Sequence, residues 1–134
     1  MNEYRTLEEC KYYGSDLNKF VGENCTKKMI VNNVDLVIYK YGKNILRIIE
    51  SKHDKEKSNK SQMMILNLLS KAKIGNHQVE VFIISGDPPY ESVDIFCINN
   101  EISALLVPKE ILIQFLNFEI SFEKLVGVAE KEQV

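Results

Sequence analysis

In the stretch VDLVIYKYGKNILRIIESKH, residues 34–53, Asp35, Glu50 and Lys52 interrupt two apolar runs. Charges set among apolar residues are unfavourable unless they are paired or hold a metal. The turn YGKN brings the two runs together as a hairpin, with glycine where a tight turn needs it. A loop centred between Gly42 and Lys43 pairs residues whose numbers sum to 85, so Asp35 faces Glu50. Cross-strand partners project from one face with Cβ atoms about 4.5–5.5 Å apart. Lys52, two residues beyond Glu50, returns to that face by the period of a strand.

Two carboxylates so opposed repel, and one is expected to titrate high unless a cation lies between them. Mg²⁺ removes the conflict, because it takes oxygen ligands and often only one or two carboxylates. The expected ligand set is Asp35, Glu50 and the peptide carbonyl of Ser51, with Mn²⁺ able to substitute. A metal held there polarises a phosphate and acidifies a bound water. Lys52 beside it would orient that water or neutralise charge building on the phosphate. Metal, water and fixed cation together describe phosphodiester hydrolysis. The bland alternative is an ion-paired strand end in which Lys52 bridges the two carboxylates. The bare pattern E-x-K is weak evidence, since Glu9-Cys10-Lys11 repeats it without an opposing Asp.

The elements that must position these residues follow from patterning. Residues 3–13 read as a helix ended by Gly14 and Ser15, with 28–32 a possible short strand. Residues 34–40 and 45–52 are the strongest strands. A polar loop leads to a helix over 61–73, N-capped by Ser58 or Ser61, with Met64, Ile65, Leu68, Leu69 and Ala72 facing the core. Residues 79–85 and 92–99 read as further strands. After a loop, Pro108 opens a helix running to about Phe118. Helix, strands, helix, strands, helix give an α/β domain with a central mixed sheet.

At 134 residues the chain is expected to form one domain, residues 1–134. Hydrophobic content of 45% argues against disorder. No apolar run is long enough to span a bilayer, and the start MNEYRTLEEC lacks a signal-peptide core, so a cytoplasmic location is expected. Cys10, Cys25 and Cys97 form no metal or disulfide pattern. The net charge is −2, yet residues 27–73 carry eleven Lys or Arg against four Asp or Glu. Such asymmetry suggests a basic face able to meet a polyanion, although a lysine-coated solvated surface reads the same way. Lys55, Lys57 and Lys60 are candidates for contact with backbone phosphates. His53 is expected on the face opposite Lys52, in a structural or phosphate-contacting role, and His77 in a loop. No phosphate loop, Ser/His/Asp set or dinucleotide fingerprint is present.

Asp35 in NNVDLVIY, with Glu50 and Lys52 in RIIESKH across a hairpin, resembles the PD-(D/E)XK nuclease superfamily. The likeness covers roughly residues 3–99, with Val34 where a proline usually precedes the Asp. It implies a restriction-endonuclease-like mixed sheet flanked by helices and a Mg²⁺-dependent nuclease. Many members carry a Glu on the N-terminal helix, matched best by Glu9 and next by Glu8. Several branches, including the virus-type replication-repair and RecB-like nucleases, carry a Gln on the helix after the motif, and Gln62 is similar to it. The short chain also looks like archaeal Holliday junction resolvases. The implied substrate is DNA, with RNA cleavage open to the same site. A chain this small has little surface for sequence readout, so recognition of phosphate geometry and a preference for branched, flapped or nicked DNA over intact duplex are expected. A homodimer is expected, with the helix around Ile111, Leu112, Phe115 and Leu116 and the segment just after it as its interface unless those residues pack on their own sheet. A catalytically silent nucleic-acid-binding or assembly subunit is the alternative from another class.

Overall fold

The computed structural model describes residues 19–20, 23–25, 34–40, 42–54 and 56–132. The chain divides into two compact units, Met1–Asn33 and Val34–Val134, and every element named below belongs to the second. The helix expected over 3–13, with Glu8 and Glu9, and the strand expected over 28–32 lie outside the described residues, as do Cys10 and Lys55.

Strands β1 (Leu36–Tyr39) and β2 (Ile45–Lys52) form the hairpin, followed by helix α1 (Lys60–Ser70). Then come β3 (Lys73–Ile74), β4 (His77–Ser85), β5 (Ser92–Cys97) and β6 (Ile102–Pro108), and last the helices α2 (Lys109–Leu116) and α3 (Phe122–Glu132). The strands make one mixed six-stranded sheet in the order β1-β2-β4-β5-β6, with β3 pairing β4. β2 and β4 run parallel, and the other pairs are antiparallel. The fold is therefore α/β, as the patterning indicated. Parallel neighbours need a crossover, and α1 lies in it.

The central strands are covered on both sides, which explains their near-continuous apolar runs. On one face Ile48, Val79, Val81 and Ile83 pack with Leu66 of α1. On the other, Ile49, Phe82, Ile84 and Ile95 pack with Leu112, Phe115, Phe122 and Leu125 of α2 and α3. Leu112 and Phe115 are thereby committed to the chain's own core, and Ile111 and Leu116 pack against it. Of the α2 residues expected at a dimer interface, Leu112 and Phe115 are therefore packed on the chain's own sheet.

The structure corrects the phase of α1. Its N-cap is Asn59, whose Oδ1 accepts from the Gln62 N–H at 2.7 Å, rather than Ser58 or Ser61. Gln62 and Leu66 form the buried stripe, with Met63, Leu69 and Ala72 beside it, whereas Met64 and Leu68 are exposed. In MMILNLL nearly every residue is apolar, so spacing alone sets no unique phase. Packing of Leu66 in one buried cluster with Ile48 and Val81 of the sheet selects it.

The carboxyl half differs in a second way. Residues 102–108, expected as loop and helix start, form the edge strand β6, and Pro108 ends that strand while capping α2. Only Ala104 and Val107 of β6 are buried, so its pattern lacks the clean alternation that marks a strand. A register irregularity between Val93 and Ile95 frees the Asp94 carboxylate to accept from the Leu106 N–H at 2.9 Å. Helix α3 was not anticipated either.

Arg47 is a charge the apolar pattern hid. It is buried on the α2 side, its Nε 3.0 Å from Glu80 Oε1 and its Nη1 donating to the Phe115 carbonyl. The guanidinium also lies 4.3 Å from the Phe115 ring centre and 4.2 Å from that of Phe118. Planar stacking and a fork of donors are properties that lysine lacks. Arg47→Lys is expected to lower the unfolding free energy by about 2 kcal/mol, measured by urea denaturation. An unchanged midpoint would show that the charge alone suffices.

Candidate functional site

Gly42 and Asn44 take left-handed backbone angles (φ 88 and 57), and the Lys43 N–H donates to the Lys40 carbonyl at 3.1 Å. This tight turn sets the register from Leu36↔Ile49 to Tyr39↔Leu46. Every pair sums to 85, as expected. Asp35 precedes β1 by one residue, and continuing the ladder places it opposite Glu50. Its Oδ2 accepts from the Ser51 N–H at 2.9 Å, which holds the carboxylate at the strand end. The Lys52 carbonyl accepts from Gly86 N–H on the β4 side at 2.9 Å. Backbone groups alternate along a strand, so the Ser51 carbonyl turns the other way, toward Asp35.

Glu50 is 4% exposed and Gln62 8%. Gln62 Nε2 donates to Glu50 Oε1, and Lys52 Nζ stands 3.7 Å from the same oxygen. Glu50 Oε2 and Gln62 Oε1 are buried and have no hydrogen-bond donor among the described residues. A buried acceptor left unmet costs about 1–3 kcal/mol, so the arrangement favours a proton or a cation on Oε2. Burial pushes the Glu50 carboxyl up to about 7, with the Asp35 charge and its hydrogen bond acting the same way and Lys52 opposing. The two carboxylates thus stand in the conflict that the hairpin register implied.

Asp35, Glu50, Lys52 and Gln62 therefore meet at one end of the sheet. Gln62 gets there because the true phase of α1 turns it inward. His53 is exposed, with its Nδ1 2.9 Å from Asp87 Oδ1, joining the loops that follow β2 and β4. Lys57 and Lys60 are exposed near the start of α1, at the Glu50 end. Lys43, Lys71 and Lys73 belong to the opposite end, where β2 begins and β3 pairs β4. An eight-residue strand spans about 25 Å, and Arg47 is buried, so the described lysines of the basic segment lie at both ends of the sheet rather than around the carboxylates alone. His77, expected in a loop, starts β4, and its Nε2 lies 3.1 Å from the Tyr39 hydroxyl at that far end.

Sequence reasoning passed over Glu56. Its Oε1 accepts from the His53 N–H at 2.9 Å and its Oε2 lies 4.0 Å from Lys52 Nζ. The signal for it was slight, a carboxylate four residues past Lys52 in a run read as a solvated loop. Among the described residues, no group of three His, Cys, Asp or Glu gathers to hold a metal ion, and none of the helices is long and apolar enough to cross a membrane. No protein-family model, curated protein or solved structure matches this chain.

Proposed function

We propose that this chain is a Mg²⁺-dependent nuclease of restriction-endonuclease-like fold that hydrolyses DNA phosphodiester bonds. The observation that carries the reading is the buried Glu50 carboxylate, one oxygen without a donor among the described residues, facing Asp35 at a strand end beside Lys52. The Lys52 ammonium stands 3.7 Å from the other oxygen, Oε1, which already accepts from Gln62. The donor set fits a hard cation. Mg²⁺ commonly uses one or two protein carboxylates and completes its shell with water and phosphate oxygens, so a third carboxylate is not required.

Asp35, Glu50 and the Ser51 carbonyl would hold the ion, which when bound supplies a polarised phosphate and an acidified water. The Ser51 N–H fixes Asp35, and Gln62 fixes the Glu50 rotamer from the helix side. Lys52 brings a cation to the same patch, where it orients the attacking water or offsets charge on the phosphate. Lys57 and Lys60, with Lys55, would contact flanking phosphates and so read geometry rather than sequence, which favours branched or nicked DNA. Cutting both strands needs two sites, hence a two-fold dimer in an intracellular setting.

Labelled linear, single-stranded and branched DNA, and RNA, each with Mg²⁺, Mn²⁺ or chelator, test the proposal. Cleavage of DNA with either ion and none with chelator is expected. Cleavage that survives chelation removes the metal, and binding without cleavage points to a silent nucleic-acid-binding subunit. RNA cut in preference to DNA would reassign the sugar. By calorimetry, Asp35→Asn and Glu50→Gln are each expected to weaken Mg²⁺ or Mn²⁺ binding at least tenfold, about 1.4 kcal/mol. Unchanged affinity in both sinks the ligand assignment.

A further inference from the structure

A lysine ammonium docked on one carboxylate makes a charge-assisted hydrogen bond of about 2.7–2.9 Å. Among the described residues Lys52 does not do this. Its Nζ stands 3.7 Å from Glu50 Oε1 and 4.0 Å from Glu56 Oε2, suspended between two carboxylates with its side chain 10% exposed. The Glu56 carboxylate is itself anchored. Its Oε1 takes the His53 N–H at 2.9 Å, and the Glu56 N–H returns to the His53 carbonyl at 3.1 Å, closing the turn in both directions. That closure aims the second oxygen at Lys52. Glu56 is 46% exposed, and an ion pair so open to water contributes little to stability. Its consequence is geometric: a second negative charge within 4.0 Å of the ammonium competes with Glu50 for it.

We infer that Glu56 is a positioning residue that holds Lys52 between itself and Glu50, leaving the ammonium's donors free for a phosphate or the attacking water. The inference rests on the nuclease reading for what Lys52 does, but the placement of Lys52 can be measured without it. Glu56→Gln separates charge from structure, since the amide oxygen still accepts from the His53 N–H while the charge facing Lys52 is gone. Glu56→Ala removes both.

Three readouts are compared in the full chain: the ¹⁵N-resolved Lys52 ammonium resonance, the thermal unfolding midpoint, and kcat and KM on the best-cleaved DNA with Mg²⁺. For Glu56→Gln we expect an unchanged midpoint, a displaced Lys52 resonance, and kcat about tenfold lower at unchanged KM. If Glu56→Gln keeps the parent kcat and Lys52 resonance, the inference is overturned and Glu56 merely builds the turn, whatever Glu56→Ala does. A kcat loss matched by a fallen midpoint with an unmoved Lys52 resonance overturns it also. If the parent cleaves nothing, the nuclease reading fails. The Lys52 resonance in Glu56→Gln then still decides the placement.

Discussion

Lys52→Ala is expected to lower the cleavage rate by about a thousandfold or more, on the order of 4 kcal/mol of transition-state stabilisation, while leaving nucleic-acid affinity close to that of the parent. The expectation comes from where the ammonium sits. It stands beside the carboxylate pair yet makes no close hydrogen bond to either neighbour, so its donors are available when negative charge builds on the phosphate. An interaction made only in the transition state lowers kcat without raising KM. Single-turnover cleavage and a binding titration at one salt concentration measure the two quantities. Parent-rate cleavage by the variant would reduce Lys52 to a salt-bridge partner. Because Lys52 lies near the buried Glu50, the variant's unfolding curve belongs beside the kinetics. If the variant fails to fold, the ion-pair role gains, and Lys52→Met, which keeps the aliphatic stem, then decides whether charge or packing is at stake.

The second large effect is on stability. Glu50 titrates near 7 in the folded chain, against 4.5 for an ordinary glutamate, chiefly because it is buried and secondarily because Asp35 faces it. Below the ordinary value the group is protonated in both folded and unfolded chains, and its burial has no charge penalty. As pH rises from about 4.5 to about 7 the unfolded chain loses the proton first, so the folded state binds more protons and its stability falls. Above the folded value the full difference is missing, on the order of 3 kcal/mol from this one group. Urea denaturation at pH 5 and pH 8 should show it, with the chain less stable at pH 8. Glu50→Gln, which has no charge to bury, should flatten that dependence and be the more stable protein at pH 8. Mg²⁺ is expected to raise the unfolding midpoint at pH 8 and to do so far less at pH 5, where a proton competes for the same oxygen. A parent stability that climbs between pH 5 and pH 8 would remove Glu50 as the group controlling it.

What the amino-acid sequence determined by itself was local. Alternation of side chains along a strand and the demands of a tight glycine turn fixed the pairing of 34–40 with 45–52, and so placed Asp35, Glu50 and Lys52 on one patch. Both properties belong to neighbouring residues and need no distant contact. The α/β class was legible for the same reason, since strands buried on both faces read as apolar runs that turn signals bound. The phase of α1 was not legible, because MMILNLL offers several apolar faces and only packing of Leu66 on the sheet chose the one that brings Gln62 to Glu50. β6 was hidden because an edge strand keeps most of its side chains in water. The burial of Arg47 depended on Glu80, Phe115 and Phe118, residues far along the chain that spacing cannot foresee. Tertiary structure also split the basic segment between two ends of the sheet, since charge counted along a sequence ignores the length of the strand that separates it. Glu56 became visible only when its loop closed and set a second carboxylate beside Lys52. Pairing across a hairpin is encoded by its own residues, whereas the orientation of a helix and the company of a buried charge are decided by whatever packs against them.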